Sequence, residues 1–180
     1  MSWSFSLSEF QIIRCDESKI DEIEQIGKIT FLESFSKDNT AGNMNDYIKK
    51  AFNRKQISSE LKNKDSHFYM VYKDKEAMAY LKLNSGDAQT EMQDPKAMEI
   101  ERLYVLQSHK KQGIGRQLIE LAKEKAIELH ASFLWLGVWE KNDNAIAFYK
   151  KLGFNEFATH VFQLGDDAQT DILMRCDLSG

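Results

Sequence analysis

Apolar and polar residues alternate through Met98-Glu99-Ile100-Glu101, and the strand formers Leu103, Tyr104, Val105 and Leu106 follow, so residues 98–106 are predicted as a β-strand. Gln107-Ser108-His109 and Lys110-Lys111-Gln112-Gly113-Ile114-Gly115 then break the pattern with two closely spaced glycines. Beyond Arg116 the residues Leu118, Leu121, Ala122, Ala126 and Leu129 recur at helical spacing and predict an amphipathic helix over 117–130. Residues 133–139 are almost continuously apolar, as in a strand covered on both faces. A last helix is predicted over 142–152, with Gly153 where a C-cap glycine belongs.

Upstream of this block, residues 10–15 read as a short first strand. Ile20, Ile23, Ile26, Gly27 and Phe31 fall three or four apart and predict a helix over 18–35, with Asp16 and Glu17 near its positive end. Residues 37–43 read as a loop, 44–52 as a second helix and 54–63 as a third, weaker one. Strands at 67–72 and 77–83 are joined by a hairpin turn at 73–76. Residues 84–96, which hold the only proline, Pro95, read as a loop. The chain closes with a hairpin of 154–164 and 171–176. Residues 86–90 and 165–170 echo one another, and both read as polar loop segments. Residues 1–9 carry no firm pattern and are expected as a loose tail, leaving 10–178 as a single domain. This order of elements predicts an α/β fold around a mixed sheet.

At 180 residues the chain is long enough for one domain with a substantial core. Its net charge of −4 disfavours broad nucleic-acid binding and mildly favours a small cationic partner. Cys15 and Cys176 have neither metal nor redox spacing and read as buried free thiols near strand ends. His67, His109, His130 and His160 are scattered, so no metal site is expected. No stretch is apolar enough to span a membrane, and Met1-Ser2-Trp3-Ser4-Phe5 lacks the parts of a signal peptide. A cytoplasmic protein without membrane or nucleic-acid partners is expected.

Strand, glycine loop and helix N-terminus form a candidate anion cradle. Glycine lets the backbone approach closely, and the first free N–H groups of the helix, with its dipole, favour a phosphate. Glu99 and Glu101, two apart on one strand, share a face and are candidate bases. By pattern alone Tyr149 reads as a packing tyrosine, and Lys150 and Lys151 as solvated helix lysines.

The glycine loop, the segment Asn142-Asp143-Asn144-Ala145-Ile146-Ala147-Phe148-Tyr149 and the turn Gly153-Phe154 together resemble the GNAT family of acyl-CoA N-acyltransferases. That family has a Gln/Arg-x-x-Gly-x-Gly/Ala phosphate loop and an Asn-x-x-Ala-x-x-x-Tyr helix. Lys110 departs from the first loop position but keeps its positive charge. A closer resemblance within the family, over roughly residues 10–178, is to bacterial polyamine acetyltransferases of the PaiA type, chiefly through 136–154.

The resemblance implies the GNAT fold: a mixed, mostly antiparallel central sheet flanked by helices, whose 98–106 and 133–139 strands run parallel and splay apart. It implies acetyl-CoA as co-substrate and no metal. Lys110, Lys111, Gln112, Gly113, Ile114, Gly115, Arg116 and Lys151 would hold its phosphates. The backbone of Leu103, Tyr104 and Val105, with Asn142, would hold its pantetheine arm. Tyr149 corresponds to the family's general acid, and Glu101 to a general base, with Glu99 or a water chain as alternatives. Spermidine or spermine is the implied acceptor, met by Glu33, Glu99 and Glu101 against an apolar wall of Phe35, Tyr47 and Trp139. A protein N-terminus or another amine is the alternative acceptor, and a non-catalytic CoA-binding regulator the alternative class. A homodimer is compatible with the resemblance.

Overall fold

The alternating and helical stripes resolve into one seven-stranded sheet with helices on both faces. A computed structural model describes residues 10–178, so the tail expected at 1–9 lies outside the described residues. The strands are β1 (Gln11–Arg14), β2 (Ser66–Lys73), β3 (Glu76–Ser85), β4 (Ala97–Val105), β5 (Phe133–Trp139), β6 (Asn155–Leu164) and β7 (Asp167–Asp177). They lie in the order β1-β2-β3-β4-β5-β7-β6. The helices are α1 (Ile20–Phe35), α2 (Ala41–Ala51), α3 (Arg54–Lys62), α4 (Ile114–Glu128) and α5 (Asp143–Lys151).

Ile20, Ile23 and Ile26 of α1 and Ile57 of α3 pack on Phe68, Met70, Tyr72 and Tyr80 on one face of the sheet. Ile114, Leu118, Ile119, Ala122 and Ala126 of α4 and Ile146 of α5 pack on Met98, Ile100, Leu134 and Leu136 on the other. Each buried Ile, Leu, Met or Phe among them contributes about 1.5–3 kcal/mol. Every strand pair is antiparallel except β4 with β5. That parallel pairing covers only Ala97–Phe133, Met98–Leu134 and Glu99–Trp135. Past it, β4 follows β3 as far as Val105, and β5 follows β7 as far as Trp139. The sheet therefore opens between its two central strands, as the resemblance implied.

A bulge shapes the wall of this opening. Lys82 of β3 faces Arg102, whereas the next residue, Leu83, faces Ile100, so Glu101 is an extra residue in β4. Ile100 and Leu103 still pack toward α4. Glu99, Glu101 and Arg102 all find partners on the side of α1 and α3. Strict alternation would have turned one of them away.

Several boundaries differ from the sequence reading, each for a local reason. Helix α2 starts at Ala41, ahead of the expected 44, because the Thr40 hydroxyl accepts from Asn43 N at 3.2 Å and caps it. Strand β3 continues to Ser85 because Asn84 and Ser85 pair with Glu99 and Met98. Helix α4 starts at Ile114 because Gly113, at φ +82°, turns the chain directly into the helix. Strand β7 starts at Asp167 because the hairpin closes through two residues, with Gly165 at φ +62°. Of the two echoed segments, the first holds the 3-10 turn Gly86–Ala88, and the second is the hairpin turn and the start of β7. Cys15 and Cys176 are free thiols, partly buried and buried. Among the described residues, no helix is long and apolar enough to cross a membrane.

Candidate active site

A cavity of about 640 Å³ runs through the opening between β4 and β5. At one end lies the junction of β4 with α4. Gly113 takes a left-handed conformation at φ +82°, and Lys111 does so at φ +64°. No side chain caps α4, so its first-turn N–H groups have no intrahelical partner. A Cβ at Gly113 would meet nothing within 4 Å, which leaves the space over the loop open. Lys110, Lys111 and Arg116 line this end. Bare N–H groups, a helix dipole and three cations fit a pyrophosphate.

The opposite end lies over the α1 and α2 side of the sheet. Phe31, Phe35, Tyr47, Trp139 and Phe162 give it an aromatic wall, with Phe31 and Tyr47 stacked at 4.4 Å between ring centroids. Four carboxylates line the cavity: Glu91, Glu99, Glu101 and Asp171. Three of them have partners. Glu99 is buried and accepts from Thr90 N at 2.8 Å, Thr90 Oγ1 at 2.5 Å and Asn84 Nδ2 at 3.0 Å. Burial raises its pKa, and the Thr90 and Asn84 hydrogen bonds oppose that rise. Glu101 accepts from Asn84 Nδ2 at 2.7 Å, pairs with Lys82, and lies 3.6 Å from Arg102 Nη2. Burial works against its ionisation, but Arg102 and Lys82 outweigh it and hold the carboxyl below the usual range. Glu91 Oε1 lies 2.7 Å from His160 Nε2.

Arg102 and Lys82 are themselves buried and share a second carboxylate, Glu60 of α3, at 3.1 and 3.3 Å. The Arg102 guanidinium also lies 5.0 Å from the Phe52 ring centre. This four-residue charge cluster ties α3 to the bulge beneath the cavity.

Tyr149 of α5 lines the cavity near the gap, between Phe148 and Phe154 at 5.2 and 5.7 Å. Burial pushes its phenol up to about 12, so it keeps its proton at neutral pH. Asn142 caps α5, its side-chain oxygen accepting from Ala145 N at 3.2 Å, and lines the cavity. A Cβ at Gly115 would stand 3.2 Å from Phe148 Cζ, so this glycine sets how closely α5 approaches the loop.

The structure brings most of the expected residues to one cavity: Glu99, Glu101, Leu103, Tyr104, Val105, Lys110, Lys111, Gly113, Ile114, Gly115, Arg116, Trp139, Asn142 and Tyr149 line it. Three do not. Glu33 accepts from Gln107 N at 2.8 Å, bracing the turn after β4 against α1, and is outside the lining. Gln112 and Lys151 are exposed and outside the lining, and neighbouring Lys150 pairs with Glu156 at 2.8 Å. Sequence reasoning missed Arg102, Glu91, His160 and Asp171. His160 and Asp171 face each other in the closing hairpin. Reading Gly165-Asp166 as a two-residue turn would have set that register. Among the described residues, no group of three or more His, Cys, Asp or Glu side chains is placed to hold a metal ion.

Residues 30–154 match the model of the acetyltransferase (GNAT) family. An uncharacterized N-acetyltransferase from the pepI 3' region of Lactobacillus delbrueckii subsp. lactis is 42% identical over 165 residues, spanning 92% of this chain and 95% of that protein. Among solved structures, the PaiA N-acetyltransferase of Thermoplasma acidophilum in complex with coenzyme A superposes with a TM-score of 0.77 at 16% identity, over 93% of this chain and 98% of that one. The ribosomal-protein-S18-alanine N-acetyltransferase of Escherichia coli superposes with a TM-score of 0.70 at 17% identity, over 95% of both chains.

Proposed function

The chain belongs to the GNAT acetyltransferase family and is an acetyl-CoA-dependent N-acetyltransferase, and from that premise we propose that its acceptor is a small polyamine such as spermidine or spermine. One observation carries the reading: the cavity is cationic at the α4 loop, acidic and aromatic at the other end. A phosphate-bearing donor suits the first end. An extended polycation with methylene spacers suits the second. The PaiA N-acetyltransferase, which shares the fold, holds coenzyme A in its crystal structure, and this supports the same class of donor here.

Acetyl-CoA, when bound, supplies the activated acetyl thioester. The loop from Lys110 to Arg116 binds its phosphates through backbone N–H groups and cationic side chains. The unpaired edge of β4 at Leu103, Tyr104 and Val105 orients its pantetheine arm. Tyr149 holds a proton on its phenol oxygen and donates to the negative charge that builds on the leaving sulfur. The ammonium must lose a proton before it can attack. Glu101, kept ionised by Arg102 and Lys82, is a weak base in direct contact but a strong orienter of a relaying water. Glu99, raised by burial, is the stronger proton acceptor and stands beside it through Asn84.

Gly113→Val should raise the acetyl-CoA dissociation constant at least about tenfold, roughly 1.4 kcal/mol. The left-handed conformation costs a side-chain-bearing residue about 1–2 kcal/mol, and the new side chain fills the open cradle. Calorimetry showing unchanged affinity in a folded variant would remove the loop from the donor site. The acceptor is tested by comparing catalytic efficiency for spermine and a monoamine at low and high salt. Spermine should lead, and its lead should shrink as salt screens the carboxylates. Equal efficiencies with no salt dependence would leave a general amine acetyltransferase.

A further inference from the structure

Asp171 is the one carboxylate lining the cavity with no hydrogen-bond or ion-pair partner among the described residues. It lies on β7, with Trp139 of β5 on one side and His160 of β6 on the other. Gly137 makes its position possible: a Cβ there would stand 3.3 Å from Asp171 Oδ2. The carboxylate thus leans over bare β5 backbone. Arg102, the cavity's buried cation, is already engaged by Glu60 and Glu101. A half-buried, unpartnered carboxylate is costly by itself and gains most from an incoming cation.

Asp171 is also displaced from the reacting centre in a defined way. Strands β4 and β7 flank β5, and β4 parts from β5 beyond Glu99 and Trp135, so Asp171, opposite Trp139, stands across the opening from Glu101 at more than two strand spacings, over roughly 10 Å. An extended chain of several methylenes bridges such a distance. We propose that Asp171 receives the second, non-reacting ammonium of a diamine or polyamine whose reacting nitrogen lies beside Glu101 and Tyr149. This inference rests on the polyamine reading above and assigns its specificity to one residue. A monoamine reaches only the first position and gains nothing from Asp171.

A pH dependence follows from the same geometry. Burial pushes the Asp171 carboxyl up to about 6, with His160 pulling it back. The carboxylate is ionised above that pH and neutral below it, so the preference for polyamines should fade as pH falls through about 6. The other groups near it are Glu91 paired to His160, Tyr47 of α2, and Glu99, Glu101 and Arg102 of β4 across the cavity. His160 is the neighbour most able to imitate the effect, so it needs its own variant.

The test measures the ratio of kcat/KM for spermidine over a monoamine of similar length, from pH 5 to 8, in the wild type, Asp171→Asn and His160→Gln. Asp171→Asn is nearly isosteric, and Asp171→Glu, which restores the charge, should recover part of the ratio. The wild-type ratio should fall at least about tenfold in Asp171→Asn, the scale of a lost charge-assisted hydrogen bond, mainly through KM for spermidine. It should lose its pH dependence near 6 there and keep it in His160→Gln. A wild type that prefers spermidine, with a ratio that survives in Asp171→Asn or a pH dependence that vanishes only in His160→Gln, overturns the inference and leaves the polyamine reading standing. A wild type with no preference overturns both.

Discussion

Tyr149→Phe is expected to lower the turnover number by about a hundredfold or more, the usual contribution of a positioned general acid, while acetyl-CoA affinity stays within about twofold. The substitution removes one oxygen and keeps the ring between Phe148 and Phe154, so helix α5 keeps its packing. What is lost is the phenolic proton. With the phenol pushed up to about 12, Tyr149 stays neutral through any ordinary assay, so it contributes no fall in rate on the alkaline side below about pH 10. The same burial makes it a poorer acid than a free phenol. Its role is therefore to donate to a growing charge on sulfur, and this demand is greatest in the transition state. The measurement is pre-steady-state or steady-state turnover under conditions where chemistry limits the rate. Turnover within about twofold of the wild type would make Tyr149 a packing residue.

The second large effect is expected on stability. Arg102→Met should destabilise the fold by about 3–5 kcal/mol, because it leaves Glu60 and Glu101 with Lys82 as their shared cation. Methionine replaces much of the apolar stem but not the guanidinium over Phe52, so the loss reports the charged head and not a large void. For a chain of this length each kcal/mol moves Tm by about 2–4 °C, so a fall of roughly 6–20 °C is expected. Glu60→Gln in the same background should recover part of it, since one of the stranded charges is then gone. A change in Tm of about a degree for Arg102→Met would show that the cluster is compensated by solvent. The variant should also raise the Glu101 carboxyl, since burial is the largest influence on it and Arg102 the strongest counterweight.

The donor end of the site was legible because its chemistry is local. Gly113, Gly115 and the first turn of α4 are neighbours in the chain, and β4 and β5 announce themselves by composition. The error in the start of α4 arose because Gly113 and Gly115 both carry the mark of a loop. One of them is the left-handed entry residue and the other already helical. The acceptor end is assembled from distant pieces. Glu91 precedes β4, Asp171 and His160 come from the closing hairpin, and Arg102 owes its side of the sheet to a bulge opposite Lys82 and Leu83. A one-residue slip of that kind leaves no mark in an alternating pattern. Glu33 shows the converse. An acidic residue near the end of α1 looked like substrate chemistry, and its partner is a backbone N–H at Gln107 that only the folded chain brings near.

The brevity of the β4–β5 pairing has a further consequence. Unpaired strand edges are ordinarily a hazard, because any extended chain can add to them, and proteins usually cover or shorten them. Here two such edges face each other inside the molecule, beyond Glu99 on β4 and beyond Trp135 on β5. Helices α4 and α5 stand on one side and α1 and α2 on the other, so another sheet has no approach. The slot suits a slender, linear molecule with its own amide groups. The fold thereby turns a template for aggregation into a filter on shape, and keeps the binding energy of a sheet edge for a ligand thin enough to thread it.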